Sequence, residues 1–283
     1  MLDSNQQARI EDLAWKIRYH IIEMTGVGKA GHIGGSCSAA DIVAALYGWK
    51  MKHDPQNPHW PERDRFVMSK GHAALAQYAA LAACGYFPEA ELRHVKKLNG
   101  MLQGHPDLRR TPGIEANSGS LGQGLSIGVG MALGLRLDHL ESKVFVMLGD
   151  GELAEGQVWE AAMAAANFKL DNLVGLLDCN RIQATGEIAQ RFNTYPFTEK
   201  WQAFGWQVIE IDGHDVAAVC AALEQADQVS GRPTMIVAHT VKGKGIPFAE
   251  NTAAYHNGIL TEDLYRQALV DLEQKRRDET CCG

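Results

Sequence analysis

The chain has 283 residues, 46% hydrophobic and 22% charged, a globular composition with enough apolar material for a sizeable core and no fibrous or disordered bias. A net charge of -7 argues against general binding to nucleic acid, so a phosphate-bearing ligand has to be held locally. No apolar run approaches the roughly 20 residues that span a bilayer, and the N-terminus carries acids where a signal peptide needs a basic start; no membrane association and a cytoplasmic location are expected.

In chain order, Ile10, Leu13, Ile17, Ile21 and Met24 recur at spacings of three and four, which predicts an amphipathic helix ending at Gly26. The stretch 28–36, GKAGHIGGS, has too many glycines for a stable helix and reads as a loop, after which Ser36 or Ser38 caps a helix over 39–49. Pro55, Pro58 and Pro61 mark 54–64 as a connector. Short apolar runs at 65–69, 143–149, 172–177, 206–211 and 234–240 read as buried strands. Helical patterns accompany them at 73–83, 121–137, 157–167, 216–228 and 260–273, and the polar stretch 181–200 reads as a long loop of the kind that carries function. This alternation predicts an α/β fold in a single domain over 1–283. The expected architecture is a doubly wound, mainly parallel sheet with helices on both faces and ligands at the carboxyl ends of its strands. Cys37, Cys84, Cys179 and Cys220 read as buried free thiols, and Cys281 and Cys282 as a frayed tail without a role.

Chemistry concentrates where the run 143–149 ends in Gly149-Asp150-Gly151. Glycines in a strand-to-helix turn let the backbone approach a diphosphate, the helix start offers free N–H groups, and Asp150 can ligate a bridging cation. The next strand ends in Asp178-Cys179-Asn180, so two strand ends face one ion. Mg²⁺ takes near-octahedral oxygen ligands, which Asp150, the Asn180 side-chain oxygen, a backbone carbonyl and two diphosphate oxygens would supply. Lys70, Lys242 and Lys244 lie in glycine-rich turns and read either as solvated loop lysines or as phosphate contacts. His32, His72 and His105 each sit in a glycine-flanked loop beside an element end, where a site belongs, whereas His20, His53, His59, His94 and His139 read as structural or surface residues. A zinc site is disfavoured because these motifs contain no close-spaced histidine pair.

The GDG turn, a spacer in the high twenties and an Asn closing a strand resemble the diphosphate-binding motif of thiamine diphosphate enzymes. KAGHIGGS (29–36), FVMSKGHAA (66–74), GHPD (104–107), SGSLGQGLSIGVGMALG (118–134), GDGELAEG (149–156), EIDGHD (210–215), HTVKGKGIP (239–247) and YHNG (255–258) then follow in the order found in transketolases. The resemblance covers nearly the whole chain. It implies that Asp150, Asn180 and the Ile182 carbonyl ligate Mg²⁺, with Ca²⁺ or Mn²⁺ as substitutes. It further implies that Lys70, His72, Gly119, Leu121, Gly151, Glu155, Asn180, Lys242 and His256 contact thiamine diphosphate, and that His32, His72, His105 and His256 serve the substrate channel. Moving protons on and off sugar hydroxyls near pH 7 suits imidazole independently of the resemblance. Glu155 also reads as an acid favoured at a helix N-terminus, while its match in the family links the two active sites of a dimer.

Transketolases continue into a pyrimidine-binding domain, which holds the glutamate that protonates the aminopyrimidine, and a C-terminal domain. The resemblance therefore implies a split enzyme whose partner chain carries the pyrimidine domain, in an α2β2 assembly, with the isolated chain forming a homodimer. The implied activity is transfer of a two-carbon ketol unit from a phosphorylated ketose to an aldose. The alternatives are 1-deoxyxylulose-5-phosphate synthase, a 2-oxo acid dehydrogenase α chain, or a non-catalytic cofactor-binding protein; the GHPD and KAGHIGGS histidines favour transketolase. Two departures stand out: Cys179 replaces the first Asn of the family's usual pair, and RIQATGE (181–187) replaces its commoner continuation.

Overall fold

A computed structural model describes residues 2–281. Helix α1 (Ser4–Thr25) opens on a capping box between Asp3 and Gln6 and closes at Gly26, whose φ of 62° is the left-handed conformation that glycine adopts without strain. There follow the two-residue strand β1 (Ala30–Gly31), helices α2 (Ile33–Ser38) and α3 (Ala40–Ala45), strand β2 (Arg65–Met68), helices α4 (Ala74–Ala83) and α5 (Gln123–Leu137), strand β3 (Val144–Gly149), helix α6 (Gly156–Asn167) and strand β4 (Leu173–Cys179). Next come the short strands β5 (Ile182–Gln183) and β6 (Gly186–Glu187), helices α7 (Ile188–Arg191) and α8 (Phe197–Ala203), strand β7 (Gln207–Asp212), helix α9 (Val216–Asp227), strand β8 (Thr234–His239), strand β9 (Gly258–Ile259) and helix α10 (Glu262–Cys281).

The main sheet has five strands in the order β2-β3-β4-β8-β7, and every pairing is parallel. Parallel strands need crossover connections that cover both faces, so alternate residues of one strand feed two apolar layers. Phe145 and Met147 of β3 join one layer with α1, α3, α4 and α9, while Val144, Val146 and Leu148 join the other with α5, α6 and Trp201 of α8. The apolar runs that form β2, β3, β4 and β8 are explained by this two-sided burial, whereas the run at 206–211, expected to be a buried strand, forms the edge strand β7, only half-buried and exposing Glu210 and Asp212 because no strand covers its outer side.

Three local expectations are corrected. The glycine-rich stretch 28–36 is helical from Ile33 onward: a Cβ at Gly34 would stand 3.0 Å from Lys242 Cγ, so tertiary packing selects glycine here and overrides its poor helix propensity. Ser36 and Ser38 therefore lie inside α2 and cap nothing; α3 continues as a π-turn over Leu46–Lys50. The stretch 181–200 is not one irregular loop but a β5-β6 hairpin followed by α7 and α8, held by the buried side chains of Ile188, Phe197 and Trp201. Cys37, Cys179 and Cys220 are buried free thiols and Cys84 is half-buried, whereas Cys282 lies outside the described residues.

Candidate functional site

The carboxyl ends of β2, β3, β4 and β8 open onto a cavity of about 250 Å³, lined among others by Lys70, His72, Leu121, Asp150, Gly151, Asn180, Ile182, Lys242 and His256. Placement at strand ends follows from the topology, because the loops leaving parallel strands converge on one edge of the sheet.

Asp150 ends β3 with its carboxylate buried. Oδ1 accepts from the Gly151 N–H at 2.8 Å, and Oδ2 accepts from the Arg181 N–H. Burial, reinforced by nearby Asp178, pushes its pKa up to about 7. Asn180 follows β4; its Oδ1 accepts from the Ile182 N–H at 3.2 Å and its Nδ2 donates to Asp178 at 3.0 Å. Lys242 Nζ donates to the Ile182 carbonyl at 2.7 Å and lies 3.1 Å from His256 Nδ1. Burial, with Lys70 nearby, lowers Lys242 to about 8. A carboxylate from the turn after β3 thus meets an amide oxygen and a backbone carbonyl from the turn after β4, a donor set of oxygens suited to a hard cation that keeps few protein carboxylates. Among the described residues no group of three or more His, Cys, Asp or Glu side chains is disposed to hold a metal, so a cation here would rest on Asn and backbone oxygens beside the single Asp150 carboxylate.

The four predicted histidines come together. His72 lies 4.9 Å from His256 and 5.3 Å from His32, ring centre to ring centre, and His32 lies 5.6 Å from His256 and 6.2 Å from His105. His72 and His256 line the cavity; His32 packs against both to form a triangle of rings, and His105 packs on His32. Burial is the main cause of depressed pKa values in all four. Lys70 adds to it for His72, which falls to about 2, Lys96 for His32 and Lys242 for His256, which both fall to about 4, and Lys96 for His105. Neutral imidazoles that accept or donate single protons are the result at pH 7.

Of the remaining predicted residues, Gly119 packs against His105, where a Cβ would come 3.2 Å from the ring, and does not line the cavity. Glu155 is exposed at the start of α6 and does not reach the cavity either. Lys244 faces a different cleft, with Trp15 and Lys275. His20, His53 and His94 make local contacts with Glu23, Tyr47 and Glu91 respectively.

Sequence reasoning missed the floor of the site. Asp178, fully buried at the end of β4, accepts from Ser38 Oγ at 2.6 Å, from Asn180 and from Lys70 and Thr240. Burial alone would raise its pKa, but the Lys70 ammonium overrides this and holds the carboxyl below its ordinary value. Glu152, also buried, accepts from Ser69, from the Gly122 N–H at 2.9 Å and from the Gly149 N–H at 3.0 Å, and so ties the β2, α5 and β3 loops together. The sequence signal for Asp178 is an acid within an apolar strand run, a placement that demands partners.

Residues 10–273 match the family model of the transketolase thiamine diphosphate-binding domain. The chain is 46% identical to the 6-deoxy-6-sulfo-D-fructose transketolase subunit SqwG of Clostridium sp. (strain MSTE9), over 96% of this chain and 99% of that protein. It is 38% identical to one of the subunits of apulose-4-phosphate transketolase from Phocaeicola vulgatus, over 92% of each. Among solved structures, transketolase from Campylobacter jejuni superposes with a TM-score of 0.86 at 31% identity, covering 96% of this chain and 43% of that one. A fold, a site and full-length similarity to separate subunits agree, and the chain belongs to the transketolase family as a thiamine diphosphate-binding subunit.

Proposed function

We propose that this chain holds the diphosphate of thiamine diphosphate through Mg²⁺ and, with a partner chain carrying the pyrimidine-binding domain, transfers a two-carbon ketol unit from an anionic ketose to an aldose. The observation that carries the reading is the meeting of Asp150, from the turn after β3, with Asn180 and the Ile182 carbonyl, from the turn after β4, beside Lys242. Burial and Asp178 raise the Asp150 carboxyl to a pKa of about 7 despite the Lys242 ammonium nearby, and a divalent cation there would compensate its charge more fully. Asp150, Asn180 and Ile182 would hold the ion, and Lys242 and the Gly151 turn would face the diphosphate.

When bound, thiamine diphosphate supplies the carbon nucleophile that cleaves the ketose. The chain's own residues orient and move protons around it. His32, His72, His105 and His256, kept neutral by burial, are placed to hydrogen-bond sugar hydroxyls and pass protons without carrying charge. An anionic ketose is supported by the two similar proteins, named for a sulfonated and a phosphorylated sugar. A separate partner is supported by the same two proteins, which are named as subunits and match this chain over nearly their whole length. We place the reaction in the cytoplasm with an α2β2 assembly, the isolated chain forming a homodimer.

Isothermal titration with thiamine diphosphate and Mg²⁺, run on the wild type and Asp150→Ala, alone and with a pyrimidine-domain chain, tests the reading. Binding should require Mg²⁺, vanish in the variant and tighten with the partner. No binding even with the partner would sink the cofactor assignment.

A further inference from the structure

Behind the cavity, α1, α3 and the turns at 213–215 and 240–245 close around a buried polar cluster. Asp41 accepts from Arg18 Nη1 at 2.9 Å and also from Nη2, and His214 Nδ1 stands 2.7 Å from Asp41 Oδ2. The other ring nitrogen of His214, Nε2, lies 2.8 Å from the backbone N of Val241. A backbone N–H can only donate, so Nε2 bears no proton; the proton resides on Nδ1 and is donated to Asp41. His214 is thus a neutral imidazole of fixed tautomer, oriented by a carboxylate that Arg18 in turn fixes.

What His214 grips is the turn that carries Lys242. Val241 immediately precedes it, and Lys242 Nζ reaches the Ile182 carbonyl and His256. The far side of the turn is held by the Gly243 N–H donating to the Gly34 carbonyl at 2.9 Å, and Gly243, at φ 78°, has no room for a Cβ, which would come 2.4 Å from the Ala249 carbonyl oxygen. The near side is held by His214. We infer that His214, set by Asp41, is a positioning residue that fixes the Lys242 ammonium at the cofactor site. The inference rests on reading Lys242 as a cofactor contact.

Asp41→Asn gives a sharp consequence. Arg18 has only donors and keeps the Asn carbonyl, so the amide NH₂ turns to His214 Nδ1, which must then accept. The ring proton moves to Nε2 and confronts the Val241 N–H, donor against donor.

The test uses the full chain together with its partner subunit, titrated with thiamine diphosphate and Mg²⁺, plus NMR of the chain for the Val241 amide exchange rate and the His214 ring nitrogens. In the wild type the His214 proton should lie on Nδ1, and in Asp41→Asn on Nε2. His214→Ala and Asp41→Asn should each speed Val241 exchange and weaken cofactor binding roughly five- to tenfold, the scale of one hydrogen bond. His214→Gln, whose carbonyl can take the place of Nε2, should recover most of the loss, and Asp41→Asn is the deciding variant if His214→Ala does not fold. A wild-type proton on Nε2, or unchanged exchange and affinity in His214→Ala and Asp41→Asn while Lys242→Ala loses binding, would overturn the inference. Unchanged affinity in Lys242→Ala would instead overturn the reading of Lys242 itself, with Val241 exchange still reporting on His214.

Discussion

Lys70 and Asp178 form an ion pair on the floor of the cavity with side chains only 2% and 0% exposed, and the same ammonium donates to the Gly35 carbonyl at 2.8 Å. The pair ties β2 to β4 and α2. It also changes the role read for Lys70 from sequence: the residue lines the cavity, but its charge is engaged with protein, so it is a structural base for the site as much as a ligand contact. Removing one member of a buried pair strands the other, at a cost of about 3–5 kcal/mol. Lys70→Met should therefore lower stability by about that amount in urea denaturation at pH 7, and adding Asp178→Asn should restore part of the loss. Additive losses in the double variant would contradict direct coupling.

Asp150 illustrates a conflict between binding and stability. Its carboxylate is desolvated and sits near Asp178, so the charge needed for a cation is unfavourable without one. Asp150→Asn should raise the melting temperature of the apo chain at pH 8 while weakening Mg²⁺-dependent cofactor binding. A fall in apo stability of the size seen for Lys70→Met would show that the two backbone N–H bonds to Asp150 matter more than its charge.

Glycines in α5 separate by what they face. At Gly124 a Cβ would lie 2.4 Å from Ser69 Cβ and 2.7 Å from Ser69 Cα, whereas at Gly134 there is open space within 4 Å. Gly124→Ala must push α5 away from the Ser69 turn and should cost about 1–3 kcal/mol, disturbing the bonds to Glu152. Gly134→Ala only removes a poor helix former and should stabilise the chain by about 0.5–1 kcal/mol. Thermal melts of the two variants should move in opposite directions.

The histidine cluster sets an acid limit. His32 titrates near 4 when folded, against an ordinary value of 6.5, because burial and then Lys96 disfavour its charge. Between these values the unfolded chain binds more protons, so this contribution to stability is intact above pH 6.5 and is lost as the pH falls toward 4. His256 acts in the same window. The chain should lose stability across that range, and His32→Gln should flatten the slope in denaturant titrations at successive pH values. A slope unchanged by the substitution would remove His32 as a cause.

The sheet was legible because its inner strands are buried on both faces, so Phe145, Met147 and their alternating neighbours write uninterrupted apolar runs whose ends mark the loops. Asp150, Asn180, His72 and His256 were legible as residues gathered at the cavity because they fall in loops at element ends, in motifs of a recognised order. Glycine, in contrast, says only that a side chain is unwanted. Gly34 reads as a loop in isolation, while the fold uses it inside a helix because Lys242 Cγ lies only 3.0 Å from where a Cβ would stand.

Sequence alone thus determined the main strands and long helices and the family motifs, since these depend on local pattern and on residue chemistry. Tertiary structure alone decided the strand order β2-β3-β4-β8-β7, the turning of Glu155 to the surface, and the pairings Lys70–Asp178 and His214–Val241. Each pairing joins segments far apart in the chain, and a charge or a ring proton acquires its role only from the partner that burial brings within hydrogen-bonding distance.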